Sequence, residues 1–196
     1  MRNRFFLPAL PFGLITLGVA VTMPRVPALP GVGNAIVQLE FARNNDQVAW
    51  ILGMDSTIRE AVIANVGADQ YFLIAYSLFL AFSCWSAWRW QRKNLLWIGV
   101  GLSLAAGLFD HLENQQLLAI VGQEASTWPV HLASLAWFTW LKWGAISAVL
   151  LLLGLAIRKV NFLGKVFFGL TGLGLLLYLA AMVVPSLVVP YSGVVG

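Results

Sequence analysis

Long apolar stretches separated by short polar segments dominate the chain. Five of these stretches have about the length of 20 residues that an α-helix needs to cross a hydrocarbon core of roughly 30 Å. The pattern predicts an all-α protein with one membrane domain over the whole chain, a polytopic bundle of five transmembrane helices. The predicted spans are residues 5–23, 67–88, 95–121, 130–157 and 162–184.

The first stretch has two interpretations. It follows Arg2 and Arg4 and is interrupted by Pro8 and Pro11. One interpretation is a signal anchor that is retained in the mature protein. Residues 18–20, Gly-Val-Ala, also fit the small-residue cleavage site of a secretory signal peptide. We expect the retained anchor. If the segment is a cleaved signal instead, the mature bundle has four transmembrane helices.

Residues 24–66 interrupt the apolar pattern between the first two spans. The first ten of them are rich in proline and glycine, which break helix. Beyond them, apolar residues recur at helical spacing in two runs. These runs predict two short amphipathic helices on the outer side, split near residues 53–56, where Asp55 or Ser56 could cap the second. The helices either lie along the membrane interface and cover the span ends, or form a lid over a site in the bundle.

Composition agrees with a membrane protein. Hydrophobic residues make up 60% of the 196 residues and charged residues 10%, with a mean hydropathy of +0.81. Ordinary soluble domains do not have this composition. The single cysteine, Cys84, excludes an intrachain disulfide and a thiolate metal site. The net charge of +4 is spread over short loops, so no nucleic-acid partner is expected.

Basic residues predict the orientation, because Lys and Arg in short loops are held on the cytoplasmic side. They precede span one, separate spans two and three, and separate spans four and five. All eight fall on one side, which places the amino terminus in the cytoplasm and the carboxyl terminus outside. They are Arg2, Arg4, Arg89, Arg92, Lys93, Arg158, Lys159 and Lys165.

The third span carries the most informative polar group, Asp110, His111, Glu113 and Asn114. Each charge at the centre of a span costs about 2.5 to 3.5 kcal/mol even on lenient insertion scales, so the protein has to satisfy these groups. At about 100° per residue, Asp110, His111 and Asn114 share one face and Glu113 lies at its edge. That face also carries small residues that let another helix approach closely, namely Gly99, Ser103 and Gly107. The polar group is therefore predicted to point into the bundle.

Lys142 is the predicted partner of these carboxylates. Spans three and four should form an antiparallel hairpin whose turn centres near position 126. Asp110 and Lys142 are each sixteen residues from that position, since 126 − 110 = 142 − 126 = 16. We expect Lys142 to face Asp110 or the neighbouring Glu113 inside the protein. Tyr76 and Ser77 of span two reach about the same depth, and their hydroxyl groups could join the network.

This polar network has a structural and a functional interpretation. Buried polar groups can simply fix helix register and pairing. Intramembrane ionisable groups are equally candidates for a proton-handling, ligand-holding or catalytic site. No metal and no cofactor are predicted, because His111 and Glu113 are badly spaced for a metal, and His111 and His131 differ in depth by too much to hold a haem. The chain has no nucleophile elbow, phosphate-binding glycine loop, zinc-protease helix or dinucleotide fingerprint.

Three short motifs resemble a group of uncharacterised bacterial multi-span membrane proteins. They are Leu-Glu-Phe-Ala at 39–42, Asp-x-x-Phe-x-x-x-Tyr at 69–76, and Asp-x-x-Glu-Asn at 110–114. The similarity covers about residues 34–120. It implies the cytoplasmic (inner) membrane of a bacterium and supplies no activity, but it makes Glu40, Asp69, Asp110, Glu113 and Asn114 the natural set to test together.

The leading hypothesis is a polar pocket in the outer half of the bundle that binds a lipid-like or small amphiphilic ligand. Membrane lipid is then the expected partner. One alternative is a non-catalytic subunit or assembly factor of a larger membrane complex, with other subunits or further copies of the chain as partners. The other is an intramembrane enzyme or proton-coupled transporter, although binding or assembly is favoured over catalysis. The candidate site residues are Glu40, Asp69, Tyr76, Asp110, His111, Glu113, Asn114 and Lys142.

Overall fold

A computed structural model describes residues 7–29, 33–158 and 162–183, with residues 163 and 181–183 described by their backbone only. Over these residues the fold is an all-α helical bundle, as predicted. The helices are α1 Leu10–Thr22, α2 Ala35–Glu40, α3 Asn45–Met54, α4 Ile58–Gln91, α5 Leu95–Gly122, α6 Trp128–Ile157 and α7 Phe162–Val183. A 3-10 turn, Ala125–Thr127, precedes α6, and two-residue strands, β1 Ala28–Leu29 and β2 Gly33–Asn34, pair antiparallel.

Three described helices are long and apolar enough to cross a membrane: α4, α5 and α6 with the turn before it. They contain the predicted spans 67–88, 95–121 and 130–157. The predicted first and fifth spans correspond to shorter apolar helical stretches, Leu10–Thr22 and Gly164–Ala180. Three of the basic residues used for the predicted orientation, Arg2, Arg4 and Lys159, lie outside the described residues.

The three long helices form consecutive antiparallel hairpins. Arg92 ends α4 in the left-handed conformation, with φ 59°, and its backbone N–H donates to the Trp88 carbonyl at 2.7 Å. At the other end of the bundle, the Trp128 indole N–H donates to the Ile120 carbonyl at 2.9 Å. Pro129 follows in the first turn of α6, where its missing N–H has no helical partner to lose.

Small residues allow close helix contact, as their spacing predicts. A Cβ at Gly99 of α5 would lie 2.7 Å from the Cys84 sulfur of α4, and one at Gly107 would lie 2.9 Å from Ser77. Ser77 itself donates to the Ile74 carbonyl of its own helix at 3.1 Å. It therefore contributes packing where we expected a hydroxyl of the polar network.

The segment before α4 departs from the prediction of two short amphipathic helices. The first predicted helix is divided into α2 and α3, whose amino ends are capped by the Asn34 and Asn44 side chains. The second is the beginning of α4, which runs from Ile58 without a break. Asp55 accepts hydrogen bonds from the Thr57 N–H and hydroxyl, each at 2.8 Å, but α4 has no side-chain cap. The change in apolar pattern along α4 therefore reflects a change in what surrounds the helix, and α4 itself is not interrupted.

Two separate groups of buried apolar side chains run along the bundle. The first, which we name the cap core, joins α2 and α3 to the adjoining ends of α4, α5 and α6; it includes Leu39, Ile51, Ile58, Leu117 and Leu135. The second, the bundle core, lies between the long helices farther along; it includes Leu73, Leu80, Cys84, Ala106 and Val149. Along α5 and α6, the candidate site residues Asp110, Glu113, Asn114 and Lys142 lie between members of the two cores.

Candidate functional site

Four helices bring the polar side chains together. On α5, Asp110, Glu113 and Asn114 are three and four residues apart, so they share a face, and all three are buried. On α6, Lys142 is buried at the same level. The α4 residues Asp69 and Tyr76 lie two turns apart, and Glu40 is the last residue of α2. We call these seven residues the polar layer.

Lys142 is the centre of the polar layer. Its Nζ lies 3.2 Å from Asp110 Oδ1, forms an ion pair with Glu113 Oε2, and lies 3.8 Å from Glu40 Oε2. The Lys142 side chain is 8% exposed and that of Glu40 is 14% exposed. The pairing with Asp110 and Glu113 is the one that equal depth in the hairpin predicts. One ammonium is therefore shared by carboxylates from two helices other than its own.

Neutral side chains donate a hydrogen bond to one oxygen of Asp110, of Asp69 and of Glu113. The Tyr76 hydroxyl donates to Asp110 Oδ2 at 2.9 Å, and the Asn114 amide donates to Asp69 Oδ2 at 2.6 Å. Thr139 is a member that sequence reasoning missed: its hydroxyl donates to Glu113 Oε1 at 2.8 Å. Thr139 precedes Lys142 by three residues, a helical spacing that places both on one face of α6 and could have revealed it.

Negative groups outnumber positive ones in the polar layer. Glu40, Asp69, Asp110 and Glu113 stand against Lys142 alone, so full ionisation gives a net charge of −4 + 1 = −3. Such an excess is costly away from water unless protons or another cation offset it. Glu40 lies outside the long helices, and its burial raises the pKa of its carboxyl group. The positive charge of Lys142 opposes that rise, and the negative charge of Asp110 adds to it.

A cavity of about 440 Å³ opens beside the polar layer. Polar side chains form one part of its wall, and aromatic and aliphatic side chains form the rest. Glu113 is not in the wall; it is fully buried and pairs with Lys142. The lining residues are Met23, Ile36, Glu40, Asn65, Asp69, Phe72, Tyr76, Phe79, Leu80, Asp110, Asn114, Lys142, Trp143 and Ile146.

His111 lies outside the polar layer, although we expected it to be a member. It is exposed, and its Nδ1 lies 2.8 Å from the Gln70 side-chain oxygen. The predicted face extends from Asp110 toward His111, about 100° away, whereas the buried face of α5 extends to the other side of Asp110, toward Glu113. The other histidine, His131, lies 2.9 Å from the Gln116 side chain near the end of the bundle.

The site is a cavity whose wall is charged in one part and apolar in the rest.

Within the described part of the chain, no three histidine, cysteine, aspartate or glutamate side chains are arranged to hold a metal ion. Comparison of the chain with protein-family models, with curated proteins and with solved structures gives no significant match. The function is therefore argued from the site alone.

Proposed function

We propose that the chain is an integral protein of a bacterial inner membrane, whose cavity beside the polar layer binds a lipid-like or other small amphiphilic ligand. The observation that carries the proposal is the composition of the cavity wall. Charged groups such as Asp69 and Lys142 meet aromatic and aliphatic groups such as Phe72, Trp143 and Ile146 in one space of about 440 Å³. Ligand sites generally combine apolar walls with a few placed polar groups.

The membrane setting is supported by α4, α5 and α6, which have the length and composition of spans. We infer two further spans, α1 and α7, because they pack along the bundle. Phe12 of α1 stacks on Phe82 of α4 with ring centroids 4.8 Å apart, and the Tyr178 hydroxyl of α7 donates to the Trp140 carbonyl of α6 at 2.7 Å. The protein then has five spans.

Orientation follows from the basic residues at one end of the bundle. The Gln91 amide contacts the Ala156 carbonyl, so the basic residues after α4 and after α6, such as Arg92 and Arg158, lie at the same end. That end is cytoplasmic in our proposal. The segment 24–66 then lies on the outer side, and the polar layer lies in the outer half of the bundle.

The segment 24–66 supplies part of the cavity wall. Ile36 and Glu40 of α2 line the cavity, and the Thr139 hydroxyl of α6 lies 3.3 Å from the Glu40 carbonyl oxygen. The Asn65 amide donates to the Pro24 carbonyl at 2.8 Å, which ties the start of the segment to α4. These contacts favour a cover over the cavity rather than helices lying free along the interface.

Native mass spectrometry of protein purified in mild detergent tests the proposal. Wild type should carry a bound amphiphile, and Asp110→Asn or Glu113→Gln should retain much less of it. Glu60→Gln removes an exposed carboxylate outside the cavity wall and should retain as much as wild type. Asp69→Asn, at the partly buried edge, is a milder variant that keeps an oxygen for the Asn114 amide. If folded Asp110→Asn and Glu113→Gln match wild type in bound mass and in stability, the site is not where we place it.

The same preparation distinguishes the other two functions. A foreign subunit at fixed stoichiometry, with an empty cavity, would favour a subunit or assembly factor. An intramembrane enzyme or proton-coupled transporter requires water at Asp110. Hydrogen exchange between Asp110 and water, measured in lipid bilayers, would detect that access. A homogeneous protein with bound lipid supports the pocket.

A further inference from the structure

A second cavity of about 530 Å³ forms a groove along α6 and α7. Its wall is almost entirely apolar, with Trp140, Leu150, Phe167 and Leu175 among the lining residues. Two of the three hydroxyl groups in the wall are used within the protein: that of Tyr178 donates to the Trp140 carbonyl, and that of Thr171 to the Phe168 carbonyl, which leaves Ser147 as the third. The groove therefore suits a hydrocarbon chain better than a polar ligand.

The groove adjoins the cavity beside the polar layer. Trp143 and Ile146 of α6 line both spaces. Glu40 lines the polar cavity, and the next residue, Phe41, lines the groove, where its ring meets that of Trp140 edge-on with centroids 5.6 Å apart. One elongated molecule can therefore place a polar end in the first space and an apolar end in the second.

The direction of the groove matches an acyl chain that starts at the polar layer. Along α6, the groove is lined from Trp140 to Leu150, a distance of about 15 Å at 1.5 Å per residue. It begins beside Lys142 and leads away from the segment 24–66. In the proposed orientation, this is the direction that chains of the outer leaflet take.

The polar layer selects the charge of the head group. Lys142 is already paired with Asp110 and Glu113, whereas Glu40 is held at 3.8 Å and Asp69 is met by the neutral amide of Asn114. Both Glu40 and Asp69 line the cavity. A head-group ammonium between these two carboxylates would reduce the excess negative charge around them, whereas a head group with an anionic phosphate and no ammonium would increase it.

We propose that the ligand is a membrane phospholipid whose head group carries an ammonium, with the ammonium between Glu40 and Asp69 and one acyl chain in the groove between α6 and α7. This inference rests on the proposed function, since it identifies the amphiphile held by the same site. It adds two testable properties, a cationic group in the head and a long chain.

Gly174 gives a way to block the groove without disturbing the polar layer. It lines the groove, and a Cβ built there meets nothing within 4 Å, so Gly174→Leu adds a side chain to open space. Gly169→Leu is the matched control, since Gly169 is also an exposed α7 glycine with open space at its Cβ and does not line the groove.

The experiment measures lipid retention by native mass spectrometry after delipidated protein is mixed with defined lipids. The probes are phosphatidylethanolamine and phosphatidylglycerol with the same long chains, and dihexanoyl phosphatidylethanolamine. We expect wild type and Gly169→Leu to retain the long-chain ethanolamine lipid about tenfold better than the glycerol lipid, a difference of about 1.4 kcal/mol. Gly174→Leu should lose about tenfold for the long-chain ethanolamine lipid and little for the short-chain one.

The outcomes separate the two proposals. If wild type retains none of the three lipids, both the proposed function and this inference fail. If lipid is retained and is lost in Asp69→Asn, yet retention is equal for both head groups or unchanged by Gly174→Leu, the pocket stands and this inference is overturned.

Discussion

The cap core and the bundle core bury their side chains by different means. In the cap core, large aliphatic residues such as Leu39, Ile51 and Leu135 are fully buried between two short helices and the ends of the long ones, as in a water-soluble domain. In the bundle core, glycines such as Gly99 and Gly107 let long helices touch. In our proposal the cap core faces water, where burying apolar surface is favourable, whereas lipid is as apolar as the side chains and leaves close packing as the main attraction.

In our proposal, the polar layer lies at the boundary between the water-facing cap core and the lipid-embedded bundle core. Between the two cores, the α2 residue Glu40 and the α6 residue Lys142 approach within 3.8 Å, so the cap and the bundle share one electrostatic network. Variants in the cap core, the bundle core and the polar layer should therefore lose stability for different physical reasons.

Removing the shared ammonium should have the largest effect. Lys142→Met leaves Asp110, Glu113 and Glu40 without their cation, and breaking a buried ion pair from one side costs about 3 to 5 kcal/mol of unfolding free energy. Denaturant titration in detergent measures the loss. Lys165→Met, at an exposed lysine of α7, is the control. Adding Glu113→Gln to Lys142→Met should recover part of the loss, and a Lys142→Met protein as stable as the control would contradict the network.

A cavity in the cap core should come next. Leu39 is fully buried, so Leu39→Ala should cost about 2 to 5 kcal/mol, the range for large-to-small changes in a closely packed core. Val37→Ala, two residues earlier and 40% exposed, should cost far less. Equal losses for the two variants would mean that α2 is not packed as described.

Overpacking the bundle core should have a smaller but definite effect. A Cβ at Gly107 would lie 2.9 Å from Ser77, so Gly107→Ala should cost about 1 to 3 kcal/mol as α4 and α5 move apart. Gly101 lies on the same helix with nothing within 4 Å of its Cβ, and Gly101→Ala should be neutral or stabilising because alanine favours helix. The two variants are compared by their thermal unfolding midpoints in one detergent. A Gly107→Ala protein as stable as Gly101→Ala would contradict the close contact between Gly107 and Ser77.

The smallest expected effect is a pH dependence from Glu40. Burial raises the pKa of Glu40, so the folded protein binds that proton more tightly than the unfolded chain does. The stability gained from protonation is present below about pH 4.5 and is lost as the pH rises through the raised value. Relative to Glu40→Gln, wild type should therefore lose stability as the pH rises.

Chemical unfolding at a series of pH values measures the difference between wild type and Glu40→Gln. Glu60→Gln, which removes an exposed carboxylate, should run parallel to wild type. Lys142 and Asp110 face Glu40 from the other helices and are present in all three proteins, so the difference reports Glu40 together with its charge interactions with them. A gap between wild type and Glu40→Gln that is constant with pH, or that changes in the opposite direction, would show that Glu40 is not buried beside them.

Much of the bundle could be predicted from the sequence, because hydrophobic length and hairpin depth are local or nearly local properties. The ends of α5 and α6 lie within two residues of the predicted spans, and the depth argument alone paired Asp110 with Lys142. The segment 34–66 was harder. The break at residues 41–44 depends on the Asn44 side chain accepting from the Gln47 N–H, a local signal that the apolar pattern obscures.

Contacts that depend on how the helices pack were the other feature that could not be predicted. The resemblance brought Glu40 into the candidate set, but its approach to Lys142 depends on how α2 packs on α6, which no spacing along the chain encodes. His111 shows the converse: it shares the short polar motif of Asp110, and the turn of the helix directs it elsewhere. Helical spacing and hairpin depth therefore predict the pairing of Asp110 with Lys142, whereas the exclusion of His111 and the approach of Glu40 depend on how the helices pack.

Dipolar recoupling by solid-state NMR in lipid bilayers tests the central claim most directly, because it reports the distance from a lysine Nζ to Asp and Glu side-chain carboxyl carbons. We expect short distances from one lysine to aspartate and glutamate carboxyls, lost in Lys142→Met and kept in Lys165→Met. Lysine Nζ signals without such coupling, together with contact between the Asp110 carboxyl and lipid chains, would contradict a polar layer sheltered between the two cores.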